Sequence, residues 1–372
     1  MKIPQTIFRQ YDIRGIVAEQ LTPDVARAVG AAFATFGRRR LSRAPTLAVG
    51  RDNRPSGPDL ARHIRAGIVA AGGRAVDVGE CPTPALYFAT HTLEVDGGLQ
   101  VTGSHNPPEF NGFKMVLAGE AVAGDAIQDL YRMIAGDALD RVAGGAESTH
   151  AGLLPAYRDA IVTRNAPLAR PVKVVVDCGN GVTSLIAIET LRAVGATVVP
   201  LFAESDGRFP NHHPDPSVPE NLEELAATVA KGQGEIGLAF DGDGDRLGIV
   251  TPRGHIIFPD RQLMLFAAEV LGRQPGATVV FDVKCTRNLA PWITRHGGKP
   301  LMWKTGHSWI KGKMRETEAA LGGEMSGHLF FKDRWYGFDD GLYAGARLLE
   351  ILSRGADAAA PLEALPDAVN TP

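Results

Sequence analysis

Short apolar runs alternate with helix-length amphipathic segments along most of this chain, and this alternation restricts the fold more than any other feature. The run Val174–Val176 is β-branched throughout, which is typical of a strand covered on both faces. We predict strands at TLAVGRD (46–52), VKVVVDCGN (172–180), EIGLAFDGD (235–243) and TVVFDVKCT (278–286). We predict helices near 22–37, 58–71, 184–194, 220–231 and 260–271. These elements together predict an α/β protein.

A strand–turn–helix unit recurs with different turn residues each time. The turns are GRDNRPSG (50–57), DCGNG (177–181) and DVKCTRN (282–288). This recurrence indicates repeated, similarly built α/β domains, and 372 residues fit two or three domains. The stretch FPNHHPDPSVPEN (209–221) contains four prolines, so we expect an extended surface connection there.

Composition excludes several classes of protein. The net charge of −3 gives no electrostatic reason to expect nucleic acid or an anionic membrane as a partner. The basic cluster Arg38–Arg40 follows a predicted helix and is better explained as a solvated helix end. Three separated cysteines without a CxxC pair argue against disulfides or zinc. With no signal-peptide core and no 18-residue apolar run, we expect a cytoplasmic protein.

Three carboxylates alternate with glycines in AFDGDGDRLGIV (239–250), namely Asp241, Asp243 and Asp245. At about 5.5 Å and an effective dielectric of about 20, each close pair of charges costs about 3 kcal/mol. A fold tolerates that when a cation binds or when the carboxyl pKa values rise. Hard oxygen ligands select Mg²⁺ or Ca²⁺. We therefore favour a divalent-metal site that serves a phosphoryl group held elsewhere.

Three other interpretations of the acidic loop stay open. An EF-hand loop would need Gly and Glu where Arg246 and Pro252 stand. An aspartyl-phosphate enzyme would use Asp241 as nucleophile, but such loops usually continue with Thr or Val where Asp245 stands. A solvated acidic turn explains poorly the apolar runs IGLAF and LGIV that flank the loop.

A second loop, TGSHNP (102–107), follows the strand-like run GGLQV. Its Gly, Ser, Asn and Pro residues fit an ordinary turn. A phosphorylated Ser104 beside Mg²⁺ would instead be a phosphoryl donor, since the metal neutralises charge on the transferring group. Such a phosphoserine carries about −1.5 to −2 charges and would complete a cation site with the three aspartates.

Taken together, these loops resemble the α-D-phosphohexomutase superfamily and, within it, the bacterial phosphomannomutase/phosphoglucomutase branch. The resemblance covers nearly the whole chain. It is carried by YDIRG (11–15), TGSHNP (102–107), NGFK (111–114), DCGNG (177–181), FPNHHPDP (209–216), DGDGDR (241–246), DVKCTRN (282–288), WKTGHS (303–308), GEMSGH (323–328) and RWYGFDDG (334–341).

The resemblance implies three similarly built mixed α/β domains arranged around a central active-site cleft. Domain 1 (1–147) would carry the phosphoserine loop, domain 2 (148–252) the metal-binding loop and domain 3 (253–372) the sugar-binding loop. The activity implied is interconversion of the 1-phosphate and 6-phosphate of mannose or glucose. Phospho-Ser104 would give its phosphoryl group to the sugar, with hexose 1,6-bisphosphate as activator and intermediate and Mg²⁺ as cofactor.

The resemblance also implies roles for individual residues. Mg²⁺ would bind Ser104 through its phosphate together with Asp241, Asp243 and Asp245. The catalytic groups would be Ser104, Lys114, His307 and Arg14, of which Lys114 and His307 are candidates for proton transfer. The substrate would contact Tyr11, His105, Arg246, Lys284, Glu324, Ser326 and His328.

The family has a fourth domain with a phosphate-binding loop, and this sequence stops at VNTP, about where that domain begins. We therefore expect a shortened form, acting as a monomer on small-molecule hexose phosphates, that carries phosphate on Ser104 but turns over poorly. Two alternatives stay open. One is a phosphatase or aspartyl-phosphate transferase that uses Asp241, and the other is a catalytically silent sugar-phosphate-binding fragment.

Overall fold

The first apolar runs pair into one mixed sheet. The computed structural model describes residues 3–366, and within them this sheet has seven strands. The strands are β1 (Ile13–Ile16), β2 (Thr46–Arg51), β3 (Arg74–Glu80), β4 (Gly97–Val101), β5 (Phe110–Leu117), β6 (Glu120–Ala121) and β7 (Ala146–Thr149). The helices that accompany them are α1 (Pro23–Leu41), α2 (Gly57–Ala70), α3 (Thr83–Thr92) and α4 (Asp125–Ala135). The sheet order is β1-β5-β4-β2-β3-β7, and β6 pairs with β5.

The middle of the chain forms a second, smaller sheet in the order β11-β10-β8-β9. Its strands are β8 (Lys173–Asp177), β9 (Thr197–Leu201), β10 (Ile236–Phe240) and β11 (Leu247–Val250). Its helices are α5 (Leu153–Arg164), α6 (Ala187–Ala193) and α7 (Glu223–Thr228). A cluster of buried side chains that includes Val175, Leu225 and Val250 forms a core of this part.

The last part of the chain forms a third sheet in the order β13-β12-β14-β15. Its strands are β12 (Thr278–Asp282), β13 (Lys299–Trp303), β14 (Leu321–Gly323) and β15 (Leu329–Phe331). The helices in this part of the chain are α8 (Pro259–Arg273), α9 (Leu289–Arg295), α10 (His307–Glu316), α11 (Gly341–Leu352) and α12 (Ala360–Glu363), of which α11 packs against β10 and β11 as well as β15. Val280, Ile310 and Phe330 belong to its core.

The three sheets repeat one topology, which confirms the prediction of similarly built mixed α/β domains. In each sheet the first parallel strand (β2, β8 or β12) lies between two further parallel strands, and in the first sheet β7 adds parallel beyond β3. A fourth strand (β5, β11 or β15) then adds antiparallel at the same side. By contacts, the chain divides into two compact units: the first runs to Tyr157 and includes Ser205–Pro210, and the second holds the remainder.

Some element boundaries agree with the sequence prediction and others differ from it. Thr22 caps α1 through a hydrogen bond from Val25 N, as predicted. The helix continues to Leu41, so Arg38–Arg40 form its last turn. The predicted helix at 220–231 is broken, because a 3₁₀ turn precedes α7 and a π-helical turn follows it. The proline-rich stretch is irregular, as predicted, but Pro214 and Asp215 are buried.

Two further expectations concern disulfide bonds and membrane-spanning segments. Cys81, Cys178 and Cys285 are free thiols, and burial raises the pKa of Cys81 and of Cys178 to about 12. These two thiols are therefore inert at neutral pH. Among residues 3–366, none of the helices has both the length and the apolar character needed to cross a bilayer. The residues VNTP (369–372), near which the sequence analysis expected the family's fourth domain to begin, lie outside the described residues.

Helices α1 and α2 touch backbone to backbone at two glycines. A Cβ added at Gly30 would lie 2.1 Å from Ile64 O, and one added at Gly67 would lie 2.0 Å from Arg27 O. Real Cβ atoms do not approach oxygen that closely, so the two helices would have to separate. The close crossing of these helices therefore depends on both glycines.

We predict that Gly67→Ala lowers the thermal unfolding midpoint of the protein, because overpacking costs about 1–3 kcal/mol. The control is Gly312→Ala in α10, where an added Cβ meets nothing within 4 Å. That substitution should raise the midpoint, since alanine is favoured over glycine in helices by roughly 0.5–1 kcal/mol. Equal midpoints for the two variants would contradict the close crossing.

Candidate active site

The loops singled out in the sequence occupy equivalent places in the three sheets. Each follows the parallel strand β4, β10 or β14 and leads into the antiparallel strand beside it. These connections are 102–109, which carries Ser104, 241–246, which carries the three aspartates, and 324–328, which carries Glu324. Since the topology repeats, the carboxyl ends of equivalent strands supply all three loops.

Ser104 lies in a tight, buried loop of the first unit. Its side chain is buried and its backbone has a φ of 50°, a left-handed conformation that non-glycine residues rarely adopt. Ser104 N donates to Thr102 Oγ1 at 2.8 Å, and Ser104 Oγ lies 3.2 Å from Nδ1 of the half-buried His105. Such strain is common at functional sites. The loop is therefore more than a solvated turn.

A fully buried arginine that the sequence analysis did not single out organises this loop. Arg54 pairs with Asp52 at 3.1 Å, and Asp52 also accepts a hydrogen bond from Gly103 N at 3.0 Å. A Cβ at Gly103 would lie 2.2 Å from Arg54 Cζ, so only glycine fits there. The guanidinium of Arg54 donates to the carbonyl oxygens of Ser104, Asn106, Pro107 and Phe110. Phe209 stacks on the guanidinium, with 5.1 Å from Cζ to the ring centroid.

Two of the predicted basic groups lie on strands beside the Ser104 loop. Arg14 on β1 pairs in register with Gly112 of β5, and Lys114 follows two residues later. Because side chains alternate along a strand, Arg14 and Lys114 share one face of the sheet. Both side chains are buried, and Arg14 donates to the carbonyl oxygen of Gly103 and to Asp12. The half-buried Tyr11 lies just before β1.

The acidic loop of the second unit has the donor set of a hard-cation site. Asp241, Asp243 and Asp245 are fully buried and can offer one oxygen each, all within 4.8 Å of one another. Gly244 has a φ of 80°, and its N–H donates to Asp241 O. An all-carboxylate set suits Mg²⁺ or Ca²⁺ and not zinc or copper. These residues fit the metal ion that the sequence predicted.

Arg246 partly balances the acidic loop. Although burial alone would lower the pKa of Arg246, the aspartates at 241, 245, 215 and 243 raise it. Its guanidinium lies 3.8 Å from Asp215 and 3.9 Å from Asp241. The aspartates around Arg246 outnumber its single positive charge, so the loop keeps a net negative charge that suits a divalent cation.

The proline-rich stretch 209–216 supports the acidic loop from outside it. His212 Nε2 lies 3.0 Å from Asp177, at the end of β8, and Gly242 N donates to Pro214 O. Although burial lowers the pKa of His212, the Asp177 carboxylate raises it by more. The sequence analysis quoted both motifs but assigned no role to His212 or Asp215.

The residues of GEMSGH (323–328) meet the acidic loop within the second unit. Leu247 N donates to Gly327 O, and Arg246 and His328 form an isolated antiparallel bridge. Glu324 is buried and accepts a hydrogen bond from Gly306 N, and burial raises the pKa of its carboxyl group. His307 begins α10, and its ring stacks on His328 with 5.3 Å between centroids. The structure thus brings four predicted residues, Arg246, Glu324, His307 and His328, into one region.

Ser326 and Lys284 are the most accessible of the predicted residues here. Ser326 is half-buried and Lys284 is exposed, next to the exposed Val283. The turn that carries Lys284 is held by Asp282, which accepts from Met325 N at 3.1 Å and from Thr305 Oγ1 at 2.8 Å. Asp282 therefore joins three of the quoted motifs, a role that no sequence pattern indicated.

Comparisons with known proteins agree with this arrangement. Family models described as phosphoglucomutase/phosphomannomutase, alpha/beta/alpha domains I, II and III match residues 5–140, 155–254 and 258–369. The phosphomannomutase/phosphoglucomutase of Pseudomonas aeruginosa is 52% identical over 372 residues, which is 100% of this chain and 79% of that protein. The phosphoglucomutase of Neisseria gonorrhoeae is 52% identical over 371 residues, covering 100% of this chain and 80% of that protein.

Structural similarity to a solved structure identifies the same family. The crystal structure of a phosphoglucomutase/phosphomannomutase family protein from Burkholderia thailandensis matches with a TM-score of 0.96 at 54% identity. The match covers 100% of this chain and 82% of that one. By its three matched domains, its relatives and its fold, the chain belongs to the phosphoglucomutase/phosphomannomutase family of isomerases.

Proposed function

We propose that the protein interconverts the 1-phosphate and 6-phosphate of mannose and glucose through a phosphoserine at Ser104. The proposal rests mainly on one observation. The loops that carry Ser104, the three aspartates and Glu324 each connect the equivalent pair of strands in one of three similar sheets. The names of the relatives from Pseudomonas and Neisseria support this substrate class. The alternatives, an aspartyl-phosphate enzyme and a silent binding fragment, use the same loops but differ in the group that carries phosphate.

The first transfer is a displacement at phosphorus. A sugar hydroxyl attacks the phosphoryl group on Ser104, the P–Oγ bond breaks, and the sugar becomes a hexose 1,6-bisphosphate. The hydroxyl proton goes to a base, for which Lys114 and His307 are the candidates. The second transfer returns the other phosphate to Ser104. Mg²⁺ held by Asp241, Asp243 and Asp245 would neutralise charge on the transferring group.

Positive side chains are required around this chemistry. A phosphoserine, three aspartates and a substrate phosphate together carry about −6, against +2 for one metal ion. We assign Arg14, Arg246 and Lys284 to the remaining charge, and Tyr11 and His105 to contacts with the substrate. Glu324, Ser326 and His328 would contact sugar hydroxyls, because carboxylate and hydroxyl oxygens accept hydrogen bonds.

The remaining expectations stay predictions. The domain limits 1–147, 148–252 and 253–372 are proposed as working boundaries, although β7 (Ala146–Thr149) crosses the first of them. A monomeric state, a cytoplasmic location and poor turnover are likewise predictions. Size-exclusion chromatography with light scattering tests the first of these, and steady-state assays with glucose 1-phosphate test the last.

We predict that Ser104→Ala abolishes phosphorylation of the protein by glucose 1,6-bisphosphate and abolishes mutase turnover. Intact-mass spectrometry before and after incubation measures the phosphoryl group directly. The matched control is Ser148→Ala, an exposed serine of β7, which should keep both properties. Full activity of Ser104→Ala would instead favour Asp241 as the nucleophile.

We predict that Asp243→Asn weakens Mg²⁺ binding about tenfold or more, equivalent to 1.4 kcal/mol, measured by titration calorimetry. In metal-free buffer the same substitution should raise the thermal midpoint, because it removes repulsion between buried carboxylates. Asp159→Asn, at an exposed aspartate paired with Arg158, is the control and should leave Mg²⁺ affinity unchanged.

The same titration tests whether phospho-Ser104 shares the ion. Wild-type protein phosphorylated at Ser104 should bind Mg²⁺ more tightly than the dephosphorylated form. The difference should shrink in Asp243→Asn, since the double-mutant cycle measures coupling between the two groups. Independent effects would show that the serine phosphate and the aspartates hold no common ion.

A further inference from the structure

A buried carboxylate outside the predicted site residues contacts both active-site histidines. Asp339 lies between β15 and α11 and is fully buried. Its Oδ2 lies 3.1 Å from Nδ1 of His328 and 3.6 Å from Nδ1 of His307. Its Oδ1 accepts a hydrogen bond from Lys311 Nζ at 2.7 Å. One carboxylate therefore meets two imidazoles through one oxygen and an ammonium through the other.

The elements that bring these groups together are short and rigid. His307 and Lys311 are one turn apart on α10, so their side chains leave the same face of the helix. His328 immediately precedes β15, and Asp339 forms an isolated bridge with Phe330 of that strand. The stacked imidazole rings are inclined by only 22°. The geometry thus results from one helix and one strand.

We propose that Asp339 is a positioning residue that sets the tautomer and ring orientation of His328, with Lys311 as its counter-ion. The inference depends on the proposed function only for the expected effect on turnover. Within the structure it rests on the distances from the carboxylate to His328 and Lys311.

The physical reason is the single proton on a neutral imidazole. The negative charge of a carboxylate close to Nδ1 favours the proton on that nitrogen, and Nε2 then keeps its lone pair. Nε2 is the ring nitrogen farther from Asp339, and it becomes the one available for a sugar hydroxyl. Without the carboxylate, the proton can move to Nε2 and the ring can rotate. The expected consequence is a loss of turnover without a loss of substrate binding.

The surrounding charges keep Asp339 an acceptor. Burial alone would raise the pKa of Asp339, but the Lys311 ammonium beside it is the largest opposing cause and holds that pKa below its usual range. An ionised carboxylate has only acceptor oxygens. Lys311 also explains why this cluster needs no metal of its own, although Asp245, His328 and Asp339 could each offer a ligand atom. Its ammonium already supplies the positive charge.

His328 also connects this cluster with the acidic loop. Its Nδ1 lies 3.5 Å from Asp245 Oδ1, farther than from Asp339, so Asp339 is the better acceptor for the single N–H. A tautomer set by Asp339 leaves Asp245 available to the metal ion.

The test compares Asp339→Asn with the control Asp340→Asn in the full chain. Asp340 caps α11 by accepting from Tyr343 N, and its second oxygen accepts from Trp335 Nε1 at 3.2 Å. Asparagine keeps the cap but loses the Trp335 hydrogen bond, so the control should be less stable than the wild type and yet turn over normally. For Asp339→Asn we expect kcat to fall about 10- to 100-fold with KM little changed, the usual size of such supporting effects.

A spectroscopic readout separates positioning from a merely structural role. Imidazole ¹⁵N shifts of His328 and His307, assigned with the His→Gln variants, report which nitrogen is protonated in substrate-free protein. We expect the Nδ1–H form of His328 in the wild type and in Asp340→Asn, and the Nε2–H form in Asp339→Asn. An unchanged tautomer in Asp339→Asn would overturn the inference even if the wild type is an active mutase. A changed tautomer supports it even if the mutase assignment fails.

A double variant keeps the test informative if Asp339→Asn unfolds because it leaves Lys311 buried without its counter-ion. Asp339→Asn with Lys311→Met removes both charges together and should restore the thermal midpoint. We expect kcat to stay low and the Nε2–H tautomer to persist in this variant. Restored turnover together with restored stability would show that the ion pair serves folding only and would overturn the proposal.

Discussion

In each of the three sheets, a buried aspartate at the carboxyl end of the first parallel strand holds the loops that follow. Asp52, Asp177 and Asp282 occupy this position after or at the end of β2, β8 and β12. Each accepts a backbone N–H: from Gly103, Gly179 and Met325, respectively. A charge-assisted hydrogen bond of this kind is roughly twice as strong as a neutral one. In each sheet the loops are therefore anchored at the equivalent position, the carboxyl end of the first parallel strand.

What each aspartate holds differs, and the difference determines what each loop can do. Asp52 fixes Arg54, whose guanidinium gathers the carbonyl oxygens of the Ser104 loop. Asp177 holds His212 and with it the stretch that supports the acidic loop. Asp282 joins the turns around Glu324 through Thr305 and Met325. One architectural device thus supports three chemically different loops.

The second unit has two buried clusters of charged side chains, and they differ in how their negative charge is compensated. Three buried carboxylates in one loop are tolerable only with compensation, which Arg246 supplies in part. Around Asp339, by contrast, compensation comes from Lys311. The first cluster is left with a net charge that suits a cation, and the second is balanced by side chains. This difference separates a metal-binding loop from a cluster that orients side chains.

The sequence by itself determined the element types, the repeated unit and the chemistry of the principal loops, because strand periodicity, glycine spacing and carboxylate spacing are local properties. It did not indicate Arg54, since an arginine in a polar turn resembles any exposed one. His307 and Lys311 are four residues apart, a spacing that puts two side chains on the same face of a helix. No sequence pattern indicated that Asp339 would lie beside them. Only the tertiary structure decided these partnerships. A hydrogen bond between residues far apart in the chain depends on sheet register and helix placement, which form only when the whole core packs.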